Sequence, residues 1–278
     1  MTRIVNNCVA LVCLCLFWGQ SLRAADASHS EQIKWGNESV FNEEHNTLGL
    51  FSGVLGGQIV LAGGTSDDYS RWGRNAVCLS ENAGFALYED VLSKPLAYGA
   101  SITLSDGILC IGGRDSSQCY EDVFFVTMQQ GKLNVSEDWP PLPFPLSNAA
   151  GALLDNKVYL FGGRKSVSPS RLSDSFFVLD LSNKSRGWKE LPGYPGCVRE
   201  DAILVVQNNG VSPCLYLLGG QTETEEGLSS CLTDGYVYNP QLGKWSSLGS
   251  DFPKGICAAV ASGANHILLF QKEPEDTQ

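Results

Sequence analysis

Arg114 and Arg164 each stand directly after a Gly-Gly pair, and Gln221 stands after another. Arg199, Glu200 and Asp201 stand directly before an apolar run, and Phe51, Tyr98 and Asn148 hold comparable places earlier in the chain. A guanidinium fork binds a carboxylate through two parallel hydrogen bonds, so Arg114, Arg164 and Arg199 suit an acidic ligand. Glu200 and Asp201 add carboxyl groups that can give or take a proton. The opposing reading is that the arginines pair with acids of their own chain, such as Asp115, Glu200 or Asp201, at a solvated rim. Arg71, Arg74 and Arg171 lie in loops and have weaker claims.

These residues are chemically useful only if the chain brings them together. The stretch KVYLFGGR (Lys157–Arg164) recurs as QIVLAGGT (Gln58–Thr65), GILCIGGR (Gly107–Arg114) and CLYLLGGQ (Cys214–Gln221). The second glycines, at Gly64, Gly113, Gly163 and Gly220, are 49, 50 and 57 residues apart. A fifth apolar run, His266–Phe270, falls one interval further on with Gln271 and Lys272 in place of the glycines. Short strands repeating at about 50 residues are the period of a kelch-type β-propeller. The fold class is therefore all-β, with four complete blades and a partial fifth. In the second repeat the strands read as Tyr98–Leu104, Gly107–Gly113, Asp122–Met128 and Lys132–Glu137. The outer strands read as Ser175–Leu181 and Gly187–Leu191 in the third, and as Gly235–Tyr238 and Lys244–Leu248 in the fourth. The fifth has only Ile256–Ser262 and His266–Phe270. The first two strands of a blade are antiparallel, so the start of the inner strand and the end of the Gly-Gly strand share an edge. That edge collects the candidate residues at one mouth of the central channel. Trp188, Trp245 and Phe85 are read as packing between blades, where large aromatics fill the wedge.

Composition bounds the function. A net charge of −11 argues against a nucleic-acid surface. Residues 1–24 read as a signal peptide: Arg3, the apolar run Cys8–Trp18, and the small residue Ala24. The run is too short to span a bilayer, so an exported protein, periplasmic or secreted, is expected. Residues 25–48 read as a polar arm that could lend an outer strand to the last blade, 49–271 as the propeller, and 272–278 as a polar tail. Of the seven cysteines after the signal, Cys110, Cys214 and Cys257 lie in strands and Cys119, Cys197 and Cys231 in loops. An odd count leaves at least one unpaired, and no C-x-x-C spacing suggests zinc.

With the repeats in place, the sequence resembles the N-acetylneuraminate epimerase (sialic-acid mutarotase) family, and most closely its cyclically permuted branch. The stretches that carry the likeness are LFSGVLGGQIVLAGG (Leu50–Gly64), KPLAYGASITLSDGILCIGG (Lys94–Gly113), GWKELPGYPGCVREDA (Gly187–Ala202) and TDGYVYNPQLGKW (Thr233–Trp245). The resemblance implies a six-bladed propeller that interconverts the anomers of an acidic sugar such as N-acetylneuraminate without a cofactor. It also implies a Glu after a second strand and an Arg six positions on, in a G-E-x-x-P-G-x-R-T setting. That motif is not found up to Gln278. Glu273 follows the fifth second strand, but it belongs to the preceding blade and lacks the Arg. Two expectations follow: mutarotase activity below that of a complete relative, and an unpaired edge on the fifth blade through which copies could associate.

The substrate-binding set is thus Arg114, Arg164, Arg199, Tyr98, Asn148 and Gln221, with Glu200 and Asp201 as the acids nearest the mouth. The main alternative is a non-enzymatic propeller that binds a sugar or a protein partner, since fold alone does not give function. A copper-radical oxidase on the same fold needs paired histidines, and His29, His45 and His266 are scattered. Hydrolytic sialidase boxes of the form S-x-D-x-G-x-x-W are not found.

Overall fold

The computed structural model describes residues 48–80, 84–224 and 227–271. The segments read as signal peptide and tail, Glu273, and the arm up to residue 47 lie outside these residues. The first blade is the sheet β1 (Phe51–Leu55), β2 (Gln58–Ala62), β3 (Ala76–Ser80) and β4 (Gly84–Tyr88). The second is β5 (Ala100–Thr103), β6 (Ile108–Ile111), β7 (Val123–Gln129) and β8 (Lys132–Ser136). In the third, β9 (Ala150–Leu154) and β10 (Lys157–Phe161) are followed by a small hairpin, β11 (Arg164–Ser166) and β12 (Arg171–Leu172). The blade then resumes with β13 (Phe176–Asp180) and β14 (Lys189–Glu190). The fourth repeats this plan: β15 (Ile203–Asn208), β16 (Pro213–Leu218), the hairpin β17 (Gln221–Glu223) and β18 (Ser229–Cys231), then β19 (Gly235–Asn239) and β20 (Lys244–Gly249). A two-stranded fifth sheet, β21 (Ile256–Ser262) and β22 (His266–Gln271), comes last. All pairings are antiparallel, and the inner strands β1, β5, β9, β15 and β21 each neighbour the next. Among the described residues the one helical segment is a six-residue 3-10 turn, Leu181–Arg186, capped by the Asp180 carboxylate. No helix there is long and apolar enough to cross a membrane.

The described residues thus form a β-propeller of four four-stranded blades and two strands of a fifth. In the first four blades the second strands are mostly apolar after their opening residue because neighbouring blades cover both faces; Ile108–Ile111 is wholly buried. Each wedge between blades holds its own core. Phe51, Val60, Ile108 and Phe124 fill the first, and Leu109, Leu146, Val158 and Phe177 the second. Phe161, Phe176, Leu215 and Tyr238 fill the third. The two tryptophans do what the repeat position predicts. Trp188 packs into the second wedge and donates its indole N–H to the Pro140 carbonyl at 3.0 Å. Trp245 enters the third, its ring 5.0 Å from Phe176 and 5.1 Å from Tyr238. Phe85, on the outer strand β4, remains 40% exposed. The seven described cysteines are all free thiols, and Cys119, expected in an open loop, is buried.

The Gly-Gly pairs are a steric requirement of this packing. Gly112 has φ +62° and an added Cβ would lie 2.2 Å from the Leu146 carbonyl oxygen. That carbonyl accepts the Gly113 N–H at 2.8 Å, which ties the second blade to the third. Gly112→Ala is expected to lower stability by at least about 1–3 kcal/mol from backbone strain alone, as read by denaturant unfolding.

Candidate functional site

The mouth is built by a three-residue unit that recurs just before the inner strands β5, β9 and β15. The units are Leu96-Ala97-Tyr98, Leu146-Ser147-Asn148 and Arg199-Glu200-Asp201. The carbonyl of the first residue accepts an N–H from the second glycine of the preceding blade: Gly64 to Leu96 at 2.9 Å, Gly113 to Leu146 and Gly163 to Arg199 at 2.8 Å. The middle residue forms an antiparallel bridge with the residue after the following Gly-Gly, pairing Ala97 with Arg114, Ser147 with Arg164 and Glu200 with Gln221. The third residue is left-handed in every case, with φ 60° at Tyr98, 55° at Asn148 and 52° at Asp201. Its N–H bonds to the carbonyl one blade back: Tyr98 to Gly49 and Asn148 to Tyr98 at 2.7 Å, and Asp201 to Asn148 at 3.0 Å. Three non-glycine residues in this sparsely allowed region mark a strained rim of the kind found at functional sites.

This unit sorts the candidates. First positions are core: Leu96 and Leu146 are 2% and 1% exposed, and Arg199 is 0% exposed in the same place. The strand-end argument expects Arg199 at the open mouth, and the structure departs from it. The guanidinium turns inward and grips Asp234 with both Nη atoms, at 2.7 and 2.8 Å. It also donates to the Gly219 carbonyl and the Tyr194 hydroxyl, each at 2.8 Å.

Arg164 reaches the mouth, but its fork is taken by Glu200. Its Nε donates to one carboxylate oxygen at 2.8 Å and Nη2 to the other. Ser170 and Glu223, carried by the two small hairpins, accept further bonds from it at 2.7 and 3.2 Å. The opposing sequence reading, an arginine paired with a neighbouring acid of its own chain, describes Arg164 with Glu200; Arg199 is also paired, but with Asp234 in the interior and not at a solvated rim. Gln221 sits beside this cluster and accepts from the Ser229 hydroxyl.

Arg114 differs. Among the described residues its guanidinium makes no ion pair; the one side-chain hydrogen bond there is a long 3.5 Å contact to the Asp115 carbonyl. Aromatic rings surround it instead: its guanidinium carbon is 4.5 Å from the Tyr98 ring centroid, 5.2 Å from Trp72 and 5.9 Å from Tyr69. Sequence reasoning named Tyr98 and missed Tyr69 and Trp72.

Asp201 stands next along the rim, accepting from the Asn148 amide at 2.9 Å. Its side chain is exposed at the rim, with the atoms of the channel entrance crowded around it. Desolvation is the largest influence and raises its pKa from 3.8 to about 6. The Asn148 hydrogen bond opposes the rise, Glu200 adds to it, and Arg164 and Arg114 oppose it. Burial, then a hydrogen bond with Tyr69, push the Tyr98 phenol well above the ordinary tyrosine range, which keeps it protonated. The mouth therefore offers an uncommitted cation, a carboxyl that titrates near neutrality, and an aromatic wall.

Fold and mouth together define a kelch-type β-propeller whose described residues gather polar groups at one edge of the blades. Residues 139–272 match the model of a family described as N-acetylneuraminate epimerase. The N-acetylneuraminate epimerase of Yersinia pestis (strain Pestoides F) is 30% identical over 139 residues, 48% of this chain and 33% of that protein. The enzyme of the same name from Haemophilus influenzae (strain PittEE) is 31% identical over 131 residues, covering 47% and 32%. A kelch domain-containing protein of Vibrio cholerae is 30% identical over 141 residues, covering 50% and 36%. The match spans about a third of the length of these relatives. Asn148, Arg164, Arg199, Glu200, Asp201 and Gln221 lie inside the family match, and Tyr98 and Arg114 lie before it.

Proposed function

We propose that this mouth binds an acidic monosaccharide of the N-acetylneuraminate type and moves a proton at its anomeric centre. The observation that carries the reading is the pairing of a free fork, Arg114, with a carboxyl whose pKa is raised to about 6, Asp201, on one rim. Arg114 takes the sugar carboxylate. Asp201 as carboxylate takes the proton of the anomeric hydroxyl and passes it to the ring oxygen as the ring C–O bond breaks and a carbonyl forms. Closure on the other carbonyl face gives the second anomer. The step is a redistribution of protons and calls for general acid–base groups alone. The names of the relatives support this choice of sugar.

The test is exchange NMR on N-acetylneuraminate, following interconversion of the anomers with and without protein. Arg114→Ala is expected to weaken sugar binding by about 1.5–3 kcal/mol, the worth of a hydrogen bond to a charged group. Equal affinity in variant and wild type would remove Arg114 from the site. Sugar binding without faster exchange would instead identify a binding module. Export completes the reading, and N-terminal sequencing of the mature chain should begin at Ala25.

A further inference from the structure

We propose that Tyr69, Trp72 and Tyr98 form a stacking subsite beside Arg114 that takes the apolar C–H face of a carboxylated sugar ring. The proposal rests on the sugar-binding reading above and adds the part of the site that would hold the ring itself. The rings are mutual neighbours, with centroid separations of 6.4 Å for Tyr69–Trp72 and Tyr69–Tyr98 and 6.3 Å for Trp72–Tyr98. The core aromatics Phe51, Phe161 and Phe176 are each 1% exposed. Tyr69 is 50% exposed, with its ring centroid 5.9 Å from the guanidinium that Trp72 and Tyr98 also flank.

The arrangement is also built at a cost. Tyr69 and Tyr98 both hold left-handed backbone, φ 59° and 60°, which bulky residues rarely adopt. Hydrogen bonds keep them there: Tyr69 N–H to the Ser66 carbonyl at 2.9 Å and the Trp72 indole to the Tyr69 carbonyl at 3.1 Å for the first, and Tyr98 N–H to the Gly49 carbonyl at 2.7 Å for the second. The first blade has glycine at the rim position, Gly49, and a Cβ there would lie 2.8 Å from Tyr98 Cγ. The missing side chain is what lets Tyr98 lean across the first blade to meet Tyr69 and Trp72. Ligand sites typically pair such apolar walls with a few placed polar groups. Here the three rings lie 4.5–5.9 Å from the Arg114 guanidinium carbon, and the one side-chain hydrogen bond of that group among the described residues is the long contact to the Asp115 carbonyl, so a carboxylate can still be gripped.

The experiment is calorimetric titration of N-acetylneuraminate into the wild-type chain, Tyr69→Asn and Trp72→Leu. Asparagine tolerates the left-handed backbone, so Tyr69→Asn removes the ring without adding strain. Each variant is expected to raise Kd about threefold to tenfold, the range of one aromatic contact, with thermal melting of Tyr69→Asn unchanged. Wild-type Kd in both variants would overturn the proposal, as would absence of binding by the wild-type chain. Exchange NMR on the same samples separates the two readings. Binding that depends on the rings, without faster anomer exchange, keeps the subsite and removes the acid–base role of Asp201. Intact exchange with an unchanged Kd removes the subsite alone.

Discussion

Arg199→Ala is expected to lower the unfolding free energy by about 3–5 kcal/mol, the cost of leaving one partner of a buried ion pair uncompensated. The Arg199 side chain is 0% exposed and that of Asp234 only 23%. The guanidinium holds Asp234 bidentately, and it also satisfies the Gly219 carbonyl just after β16 and the Tyr194 hydroxyl. Removing it therefore strands a carboxylate, a carbonyl and a phenol together. Burial opposes the arginine's charge, and the Asp234 bond and Tyr194 more than offset that, so its pKa lies above the ordinary value. Arg199→Lys keeps the charge but loses the two-pronged grip, and it should recover only part of the loss. Chemical denaturation of the three proteins measures this directly. Wild-type stability in Arg199→Ala would show that Asp234 finds water or another partner.

Asp201→Asn is expected to slow anomer exchange about 10²–10⁴-fold while leaving sugar affinity nearly unchanged, because only the proton-handling group is lost. The pH dependence makes the result specific. The wild-type rate should climb as pH rises through about 6, where Asp201 becomes the carboxylate that accepts a proton. The variant should lack that limb. Stability gives an independent reading of the same group. Asp201 has its folded pKa raised from 3.8, so the folded state binds the proton more tightly than the unfolded chain does. The wild-type protein should gain stability relative to Asp201→Asn as pH falls from above 6 towards 4. A flat difference across that window would place the carboxyl in ordinary water, and an unchanged exchange rate would end its catalytic assignment.

The fold was legible because a propeller writes its packing into the chain at a fixed period. Gly-Gly is required where one blade's carbonyl approaches the next, so Gly63, Gly112 and Gly162 return on schedule. Trp188 and Trp245 return because the wedges need filling. The small hairpins β11–β12 and β17–β18 were not legible. Their strands are two or three residues long and polar, and neither alternation nor an apolar run marks them. Yet they bring Ser170 and Glu223 to Arg164. Tyr69 and Trp72 escaped for a similar reason: they lie in a loop off the repeat, and only the fold returns that loop to the rim.

Arg199 is a different case, because its true place could be read. Aligning KPLAYG, FPLSNA and CVREDA sets Arg199 opposite Leu96 and Leu146, both core residues. Charge suggested the mouth, whereas position in the unit dictated burial. The same alignment sets Asp201 with Tyr98 and Asn148, the positions that do reach the rim. Position within the repeat was the better guide to direction, and side-chain chemistry the better guide to role.

The chain of bonds from Gly49 through Tyr98 and Asn148 to Asp201 runs like a drawstring along the part of the entrance that the first four blades form. Each link is one peptide of one blade, so the perimeter is counted in blades and cannot be adjusted by side-chain choice. A wider ligand would call for another link; a different ligand of the same width needs only new residues hung on the existing ones. Chemistry at this entrance can therefore be rewritten one blade at a time, while its bore is altered only by duplicating or deleting a whole repeat.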